Sequence, residues 1–315
     1  MMETQGQLAQ LVDKIKDLRT FAQEQGIDLG SKIAALEEKA AELQAQMYAN
    51  LGPWQKIQLA RNVKRPTTLD YINIIFTEFV ELHGDRYFRD DPALVGGIAL
   101  LEGQPVTVLG HQKGRDTKDN IARNFGMPHP EGYRKALRLM EQAEKFRRPI
   151  ICFIDTPGAY PGLGAEERGQ SEAIARNLRD MAALKVPILN LVTGEGGSGG
   201  ALALGGGDSL LMLENTIYSV ISPEGCASIL WKDSGRAKEA ASALKLTAQD
   251  LDELEVIDEA IPEPQGGIHK DWQGGAGVLK EALLRYLDIL GGMPVETLLR
   301  RRHHRLARLG RWQEH

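Results

Sequence analysis

The chain has 315 residues, of which 42% are hydrophobic and 26% charged, a composition typical of a globular protein with one large domain or two smaller ones. Its net charge of −5 at pH 7 argues against a general nucleic-acid binder. No apolar run approaches the length of about 18 residues that a membrane helix needs, so we expect a cytoplasmic protein without a signal peptide.

Cysteine usage argues against two kinds of site. Cys152 and Cys226 are the only cysteines in the sequence, and both lie in apolar surroundings. Two thiols cannot complete a zinc site alone, and a disulfide is not expected in a reducing compartment. We therefore predict a buried structural thiol at each position.

The first 50 residues carry a helical pattern that differs from the rest of the chain. Apolar residues alternate between steps of three and four on both sides of a break at residues 26–30. This period predicts two amphipathic helices in an antiparallel hairpin with a coiled-coil-like seam. The apolar positions are Leu8, Leu11, Ile15, Leu18 and Ala22, then Ile33, Leu36, Ala40, Leu43 and Met47. We assign residues 1–60 to this helical arm.

A linker-like run at residues 61–68 precedes a predicted helix over residues 69–82. Apolar residues 94–101 and 104–110 then flank the dipeptide Glu102-Gly103, which is a strong signal for a β-hairpin. The sequence HQKGRDTK follows the second strand and is predicted to be a polar, basic loop. The next predicted element is a helix over residues 132–146.

From residue 149 onward the chain repeats one order of elements. Strand, glycine-rich loop and helix occur over residues 149–184, with the helix from residue 165, and the same order begins again at residue 187. Short strands are predicted at residues 209–213 and 216–221. This alternation favours an α/β fold with parallel strands, assigned to residues 61–290. Its spacing fits both a coiling β-β-α superhelix and an open doubly wound sheet.

Residues 291–315 form a basic tail in which leucines recur at helical spacing. The pattern predicts a cationic amphipathic helix, with two interpretations left open: a solvated helix face or a docking surface for an acidic partner. The cationic positions are Arg300, Arg301, Arg302, His303, His304, Arg305, Arg308 and Arg311.

The most informative stretch is the glycine turn, which we define as residues 194–200 with the sequence GEGGSGG. It follows the predicted strand 187–192 and precedes a short helix. Glycine allows backbone N–H groups to approach a ligand closely, and a helix start leaves N–H donors unpaired beside a partial positive charge. The turn is therefore predicted to hold negative charge.

Three kinds of site fit this turn. The pattern GxGxxG from residue 194 matches a dinucleotide fingerprint, but the following helix must end by residues 205–207, which is too short for a βαβ crossover. The pattern GxSxG around Ser198 matches a hydrolase nucleophile elbow, for which His269 is a candidate partner. An oxyanion hole needs only backbone donors, and a second glycine loop at residues 158–159 follows the preceding strand.

Six segments together resemble the α subunits of the bacterial acetyl-CoA carboxylase carboxyltransferase. The resemblance extends over roughly residues 50–270. The segments are HQKGR at 111–115, RNFGM at 123–127, DTPGAYPG at 155–162, GAEERGQ at 164–170, GEGGSGGALA at 194–203 and SPEGCA at 222–227.

The resemblance implies an α/β, crotonase-type (ClpP/crotonase-like) β-β-α superhelix with an N-terminal helical hairpin. It implies transfer of carboxylate from carboxybiotin, held on a biotin carboxyl carrier protein, to acetyl-CoA, which gives malonyl-CoA for fatty acid synthesis. It further implies an α2β2 heterotetramer whose β subunit carries the zinc, biotin carboxylase in the larger complex, and neither a metal nor a membrane contact on this chain. A scaffold for the β subunit is the alternative role.

The resemblance also implies roles for individual residues, by motif position. The backbone N–H groups of Gly199 and Gly200 would stabilise charge on the ureido oxygen of biotin, with Gly196 and Gly197 as the nearest alternatives. The other substrate-binding candidates are Gly158, Ala159 and Tyr160 beside the biotin ring, and Lys113, Arg115 and Lys118 toward phosphates of CoA or the acidic carrier. A core tyrosine and a solvated loop are the competing interpretations for Tyr160 and for the three cations.

Overall fold

The computed structural model describes residues 2–49 and 51–310. The chain divides into two compact units, with the boundary between Gly52 and Pro53. The first unit contains helices α1 (Met2–Gln25) and α2 (Gly30–Ala49), which pack against each other. An ion pair of 2.5 Å joins Arg19 to Glu37 across them. The predicted helical hairpin is confirmed, while the side chains of Leu8 and Met47 lie outside the described part.

The second unit contains the remaining described helices and one sheet of eight strands. In chain order the elements are α3 (Pro53–Ala60), α4 (Thr68–Ile75), β1 (Thr77–Glu81), β2 (Leu94–Leu101), β3 (Gln104–His111), α5 (Thr117–Ala122), α6 (Pro130–Lys145), β4 (Ile150–Thr156), α7 (Leu163–Glu167), α8 (Gln170–Met181), β5 (Ile188–Gly197), α9 (Ser198–Leu202), β6 (Ser209–Leu213), β7 (Ile217–Ser219), α10 (Pro223–Trp231), α11 (Ala237–Ala243), α12 (Ala248–Glu253), β8 (Glu259–Ile261), α13 (Trp272–Gly291) and α14 (Val295–Arg308).

The sheet has the strand order β1-β2-β3-β4-β5-β6-β8, with β7 also paired to β5. Strands β1, β2 and β3 are antiparallel, and all later pairings are parallel. Strand β5 changes its partner along its length. Its first half pairs with β6, from Leu189 opposite Ser209, and its end pairs with β7, from Glu195 opposite Ile217.

The core of the second unit lies on both faces of this sheet. Phe153 of β4 packs in one apolar cluster with Tyr71 of α4 and Leu283 of α13. Its neighbour Cys152 packs in the other cluster, with Tyr133 of α6. Successive residues of a strand point to opposite faces, so a central parallel strand covered by helices on both sides is apolar throughout.

The predicted hairpin is confirmed, and β2 and β3 pair from Leu94 opposite His111 to Leu101 opposite Gln104. Glu102 and Gly103 both have positive φ, as a two-residue hairpin turn requires.

The helix predicted over residues 69–82 is wrong beyond Ile75. The segment Thr77–Glu81 is strand β1, and Val80 lies opposite Ile98 of β2. Backbone pairing with the available edge of β2 outweighs the local helical pattern, as tertiary context commonly does. The helix predicted to extend from residue 165 is likewise two helices, because Gly169 has a φ of +83° between α7 and α8.

The basic tail forms the predicted helix, α14, but its Arg302 is completely buried. The Arg302 guanidinium donates to both carboxylate oxygens of Asp208, at 2.9 and 2.7 Å. It also donates to the carbonyl oxygens of Met181, Leu184 and Val186. Arg302 is therefore part of the core of the second unit, and Arg311 lies outside the described residues.

Residues 53–60 and 291–310, assigned from the sequence to the arm and to the tail, belong to the second unit. Among residues 2–49 and 51–310, none of the helices combines the length and apolar character that crossing a bilayer requires.

Candidate functional site

The glycine turn begins as an extension of β5 rather than as a loop. Strand β5 continues through Gly197, and Gly196 lies opposite Thr156 of β4 and Tyr218 of β7. A Cβ atom at Gly196 would overlap the ring of Tyr218, and one at Gly197 would overlap the carbonyl of Pro157. Glycine at these positions therefore lets the strand run between two close neighbours.

The two glycine loops predicted to open on one sheet edge are in direct contact. A Cβ atom at Gly200 would lie 2.5 Å from the carbonyl carbon of Gly158 and 2.6 Å from the nitrogen of Ala159. Gly199 differs, because a Cβ atom there would make ordinary contact with Ile174 at 3.5 Å. Only one glycine of this adjacent pair is thus required by packing.

Helix α9 begins at Ser198, which is exposed and has a φ of +50°. That conformation is uncommon for a residue other than glycine. The first N–H groups of a helix have no acceptor within it. Within the described residues, the N–H groups of Gly199 and Gly200 donate to no acceptor outside this short helix. Ser198 and Gly199 line a groove of about 230 Å³ together with Leu202, Tyr218, Ser219 and Val220.

His111, the last residue of β3, supports the glycine turn from the interior. Its Nε2 lies 3.2 Å from the carbonyl oxygen of Gly200. The N–H of Leu204 bonds to Ala201 instead of Gly200, so the ring supplies a donor that the helix does not. Burial, assisted by the charge of Lys113, lowers the pKa of His111 to about 4. The ring is therefore neutral near pH 7, and this contact assigns its proton to Nε2.

Asp155, at the end of β4, fixes the glycine turn from a second side. Its Oδ1 accepts from the backbone N–H of Glu195 at 2.9 Å and from Nζ of Lys113 at 2.6 Å. A Cβ atom at Gly194 would overlap this carboxylate. The predicted substrate-binding Lys113 thus lies at the turn, in an ion pair with Asp155.

Two arginines hold the same end of β5 from the side of α3. The guanidinium of Arg61 bridges Glu195 and Glu224 at 2.8 and 2.7 Å. The guanidinium of Arg65 donates twice to the carbonyl of Thr193, at 3.1 and 2.9 Å, and pairs with Glu263. Burial alone would raise the pKa of Glu263, but the charge of Arg65 holds it below its usual range. The backbone of the turn is thereby fixed by fully partnered charges.

The remaining predicted site residues are positioned by other contacts. Arg115 pairs with Asp70 and lies over the ring of Trp272, with its guanidinium carbon 4.8 Å from the ring centroid. Tyr160 stacks on His129 with ring centroids 4.1 Å apart. Lys118 lies exposed on α5.

Sequence reasoning missed the residues that support the turn. His111 and Asp155 each stand directly after an apolar strand segment, where a polar side chain is a usable signal for a site at the sheet edge. The sequence assigned His111 to a polar loop, whereas it is buried at the end of β3. Arg61 and Arg65 carry no comparable signal, because long-range pairing selects their partners.

Among residues 2–49 and 51–310, no group of three or more His, Cys, Asp or Glu side chains could hold a metal ion. Cys152 and Cys226 are buried free thiols, and burial raises the pKa of Cys152.

Known proteins resemble the chain along nearly all of its length. A family model described as acetyl co-enzyme A carboxylase carboxyltransferase-like matches residues 1–310. Two relatives are named acetyl-coenzyme A carboxylase carboxyl transferase subunit alpha. The one from Shouchella clausii is 59% identical over 301 residues, covering 96% of this chain and 93% of its own. The one from Geobacter metallireducens is 58% identical over 313 residues, covering 99% of this chain and 98% of its own.

Two solved structures have the same fold. Transcarboxylase 12S, with hydrolysed methylmalonyl-coenzyme A bound, aligns with a TM-score of 0.60 and 17% identity, over 75% of this chain and 43% of its own. A Pseudomonas malonate decarboxylase hetero-tetramer in complex with coenzyme A aligns with a TM-score of 0.57 and 19% identity, over 69% of this chain and 88% of its own.

The partner change of β5 and the two apposed glycine loops therefore belong to a crotonase-like carboxyltransferase fold, and the superhelix is confirmed over the open doubly wound sheet. The chain belongs to the family of acetyl-CoA carboxylase carboxyltransferase α subunits. It is a transferase subunit with an N-terminal helical hairpin, as the sequence resemblance implied.

Proposed function

We propose that this chain, together with a β subunit, transfers carboxylate from carboxybiotin on a biotin carboxyl carrier protein to acetyl-CoA. The product is malonyl-CoA, and the reaction is the first committed step of fatty acid synthesis. The observation that carries the proposal is the direct contact of the glycine turn with residues 158–159 at the carboxyl ends of β4 and β5. This contact fixes two backbone segments side by side where a substrate oxygen can be held.

The reaction breaks the bond between the ureido nitrogen and the carboxylate and forms a carbon–carbon bond at the acetyl methyl. The methyl proton ends on the ureido nitrogen, so no side-chain base is required. Negative charge develops on the ureido oxygen, and backbone N–H groups fixed before the reaction stabilise such charge without reorganising. Gly199 and Gly200 are the proposed donors, because Gly196 and Gly197 already lie in the pairing of β5 with β7.

Neighbouring residues take supporting roles in this proposal. Gly158, Ala159 and Tyr160 would flank the biotin ring. Lys113, through Asp155, would keep the backbone of the glycine turn in place. Arg115 and Lys118 stay candidates for the phosphates of CoA or for the acidic carrier.

Exposed apolar side chains at the groove and on α10 support a β subunit as partner. Leu202 is 44% exposed and Val220 is 76% exposed, and both line the groove. Ile229 and Leu230 on α10 are 61% and 64% exposed. Exposed apolar patches commonly mark protein interfaces. The proposed assembly is a heterotetramer of two α and two β subunits, with the zinc on β and biotin carboxylase in the larger complex.

A matched pair of variants tests the backbone donor. Proline at position 199 would remove one N–H in the first turn of α9, where proline is tolerated, whereas alanine keeps the N–H and has room beside Ile174. In a complex co-purified with β, we expect Gly199→Pro to lower kcat at least about 100-fold and Gly199→Ala to stay near wild type. The assay is malonyl-CoA formation with carboxylated carrier.

Three outcomes would contradict the proposal. Full activity of this chain without β would remove the need for a partner. If Gly199→Pro abolished co-purification with β at an unchanged melting temperature, the turn would be a scaffold. If Ser198→Ala abolished activity and a fluorophosphonate labelled Ser198, the nucleophile elbow would be correct, although no hydrogen bond within residues 51–310 joins Ser198 to a histidine.

A further inference from the structure

A cavity of about 380 Å³ lies between α6, α8 and the loop that precedes β2. Four arginines contribute to its lining, and we call it the arginine cavity. They are Arg86, Arg134, Arg138 and Arg176. Its volume falls within the range of about 300–1,000 Å³ that is usual for small-molecule sites. The cavity shares no lining residue with the groove at the glycine turn.

Positive charge in the arginine cavity is only partly compensated. Arg134 is bound by Asp85 at 2.9 Å and Glu131 at 3.1 Å, and Arg176 lies 3.6 Å from Glu172. Glu141 adds a carboxylate to the lining. Within the described residues, Arg86 and Arg138 pair with no carboxylate. Both instead donate to the carbonyl oxygen of His83, at 2.8 and 3.2 Å.

The two unpaired guanidinium groups also repel each other. Burial, followed by the charge of Arg86, lowers the pKa of Arg138, although the charges of Asp90 and Asp85 oppose the shift. Like charges gathered in a concave site are unfavourable unless an anion compensates them. Arginine is suited to such an anion, since its planar fork binds phosphate oxygens in pairs.

An unpartnered buried oxygen lies in the same lining. Asn177 of α8 is fully buried, and its Nδ2 donates to the carbonyl of Ala203 at 3.2 Å. Its Oδ1 has no hydrogen-bond partner among residues 51–310. Buried polar atoms almost always have a partner, and this oxygen can accept a hydrogen bond from an N–H or O–H group of a bound molecule. Tyr87, which is 80% exposed, adds an aromatic ring to the wall.

We propose that the arginine cavity binds a nucleoside phosphate. The phosphate meets Arg86 and Arg138, an N–H or O–H group of the nucleoside donates to Oδ1 of Asn177, and the base packs on the ring of Tyr87. A mononucleotide combines these three features in one molecule of suitable size. Inorganic phosphate supplies only the first of them.

Isothermal titration calorimetry on the full chain, co-purified with its β subunit, tests this site. The probes are adenosine 5′-phosphate, inorganic pyrophosphate and adenosine. We expect adenosine 5′-phosphate to bind more tightly than pyrophosphate, and adenosine to bind most weakly. Arg86 lies on an exposed loop. The variant Arg86→Gln should weaken binding of adenosine 5′-phosphate at least about tenfold, because a charge-assisted hydrogen bond is lost.

Arg236→Gln is the matched control, because Arg236 is exposed, pairs with Glu239 and does not line the cavity. Binding to this variant should equal that of the wild type. Asn177→Leu should weaken the binding of adenosine 5′-phosphate but not the binding of pyrophosphate. The proposal is overturned if adenosine 5′-phosphate does not bind at about 5 mM, if pyrophosphate binds as tightly, or if Arg86→Gln binds like the wild type.

Discussion

The two ends of β5 are both built around buried charge, yet they differ in what is left unpaired. At the beginning, the N–H of Ile188 bonds to Asp208, whose carboxylate is held by the buried Arg302. At the other end, Arg65 and Asp155 hold the backbone of residues 193–195. There the chain turns into α9, whose Gly199 and Gly200 N–H groups have no acceptor outside the helix among residues 51–310.

The beginning of β5 has a structural role, whereas its end combines structure with function. The beginning of β5 is satisfied completely, since the Arg302 guanidinium makes five hydrogen bonds to protein oxygens. The end of β5 is equally well fixed, but within residues 51–310 the N–H groups of Gly199 and Gly200 have no acceptor outside α9, and Gly199 lines a groove. Rigid backbone with unused donors is what electrostatic stabilisation of a developing anion requires.

Arg302→Met tests the beginning of the strand and should have the largest effect. It leaves Asp208 as a buried charge without a counter-charge, which costs about 3–5 kcal/mol of the free energy of unfolding. Urea unfolding followed by circular dichroism measures this change. The exposed Arg300 is the control, and Arg300→Met should stay within about 0.5 kcal/mol.

The double variant Arg302→Met with Asp208→Leu sharpens this result. It removes both buried charges and should recover much of the lost free energy of unfolding. If the single variant Arg302→Met had the same free energy of unfolding as the wild type, the beginning of β5 would not depend on this pair.

Gly200→Ala tests how tightly the other end is packed, and an intermediate effect is expected. The added methyl would meet the backbone of Gly158, and such overpacking costs about 1–3 kcal/mol. Gly199→Ala should change the free energy of unfolding by less than about 0.5 kcal/mol, because its methyl has room. Equal melting temperatures for the two variants would contradict the contact between the loops.

His111→Gln addresses pH and should have the smallest effect near pH 7, where the ring carries no charge. The folded pKa of about 4 lies below the ordinary 6.5, so the unfolded chain binds a proton more readily between these values. The stability that neutral His111 contributes is complete above about pH 6.5 and is lost as the pH falls toward 4.

This loss contributes at most about 1.4 kcal/mol per pH unit. The charge of Asp155 raises the pKa of His111 and so reduces this loss, whereas the charge of Lys113 lowers the pKa and increases the loss. Urea unfolding at several pH values should therefore show a flatter dependence for His111→Gln, whose amide can still donate to Gly200. Identical pH dependence in the two proteins would disprove a neutral, buried His111.

Local sequence signals predicted much of the fold and of the candidate site. The β-hairpin followed from two apolar runs around Glu102-Gly103, and the glycine turn from a cluster that no ordinary turn needs. These features depend on neighbouring residues only. The family resemblance supplied what local patterns left open, namely the superhelix.

What the sequence could not predict depends on contacts between distant residues. The segment Thr77–Glu81 becomes a strand because β2 offers an edge, and nothing in its own pattern records that edge. Arg302 resembles the other arginines of the tail in sequence, but among the described residues it is the one that meets the Asp208 carboxylate. The support of Gly200 by His111 joins residues separated by 89 positions.

The pairing of Asp208 with Arg302 also sets an order of events during protein synthesis. The ribosome makes Asp208 94 residues before Arg302, so the beginning of β5 lacks its counter-charge while the intervening chain is produced. A nascent chain without α14 would have to bury Asp208 unpaired. We therefore expect the second unit to complete its folding only after α14 has left the ribosome.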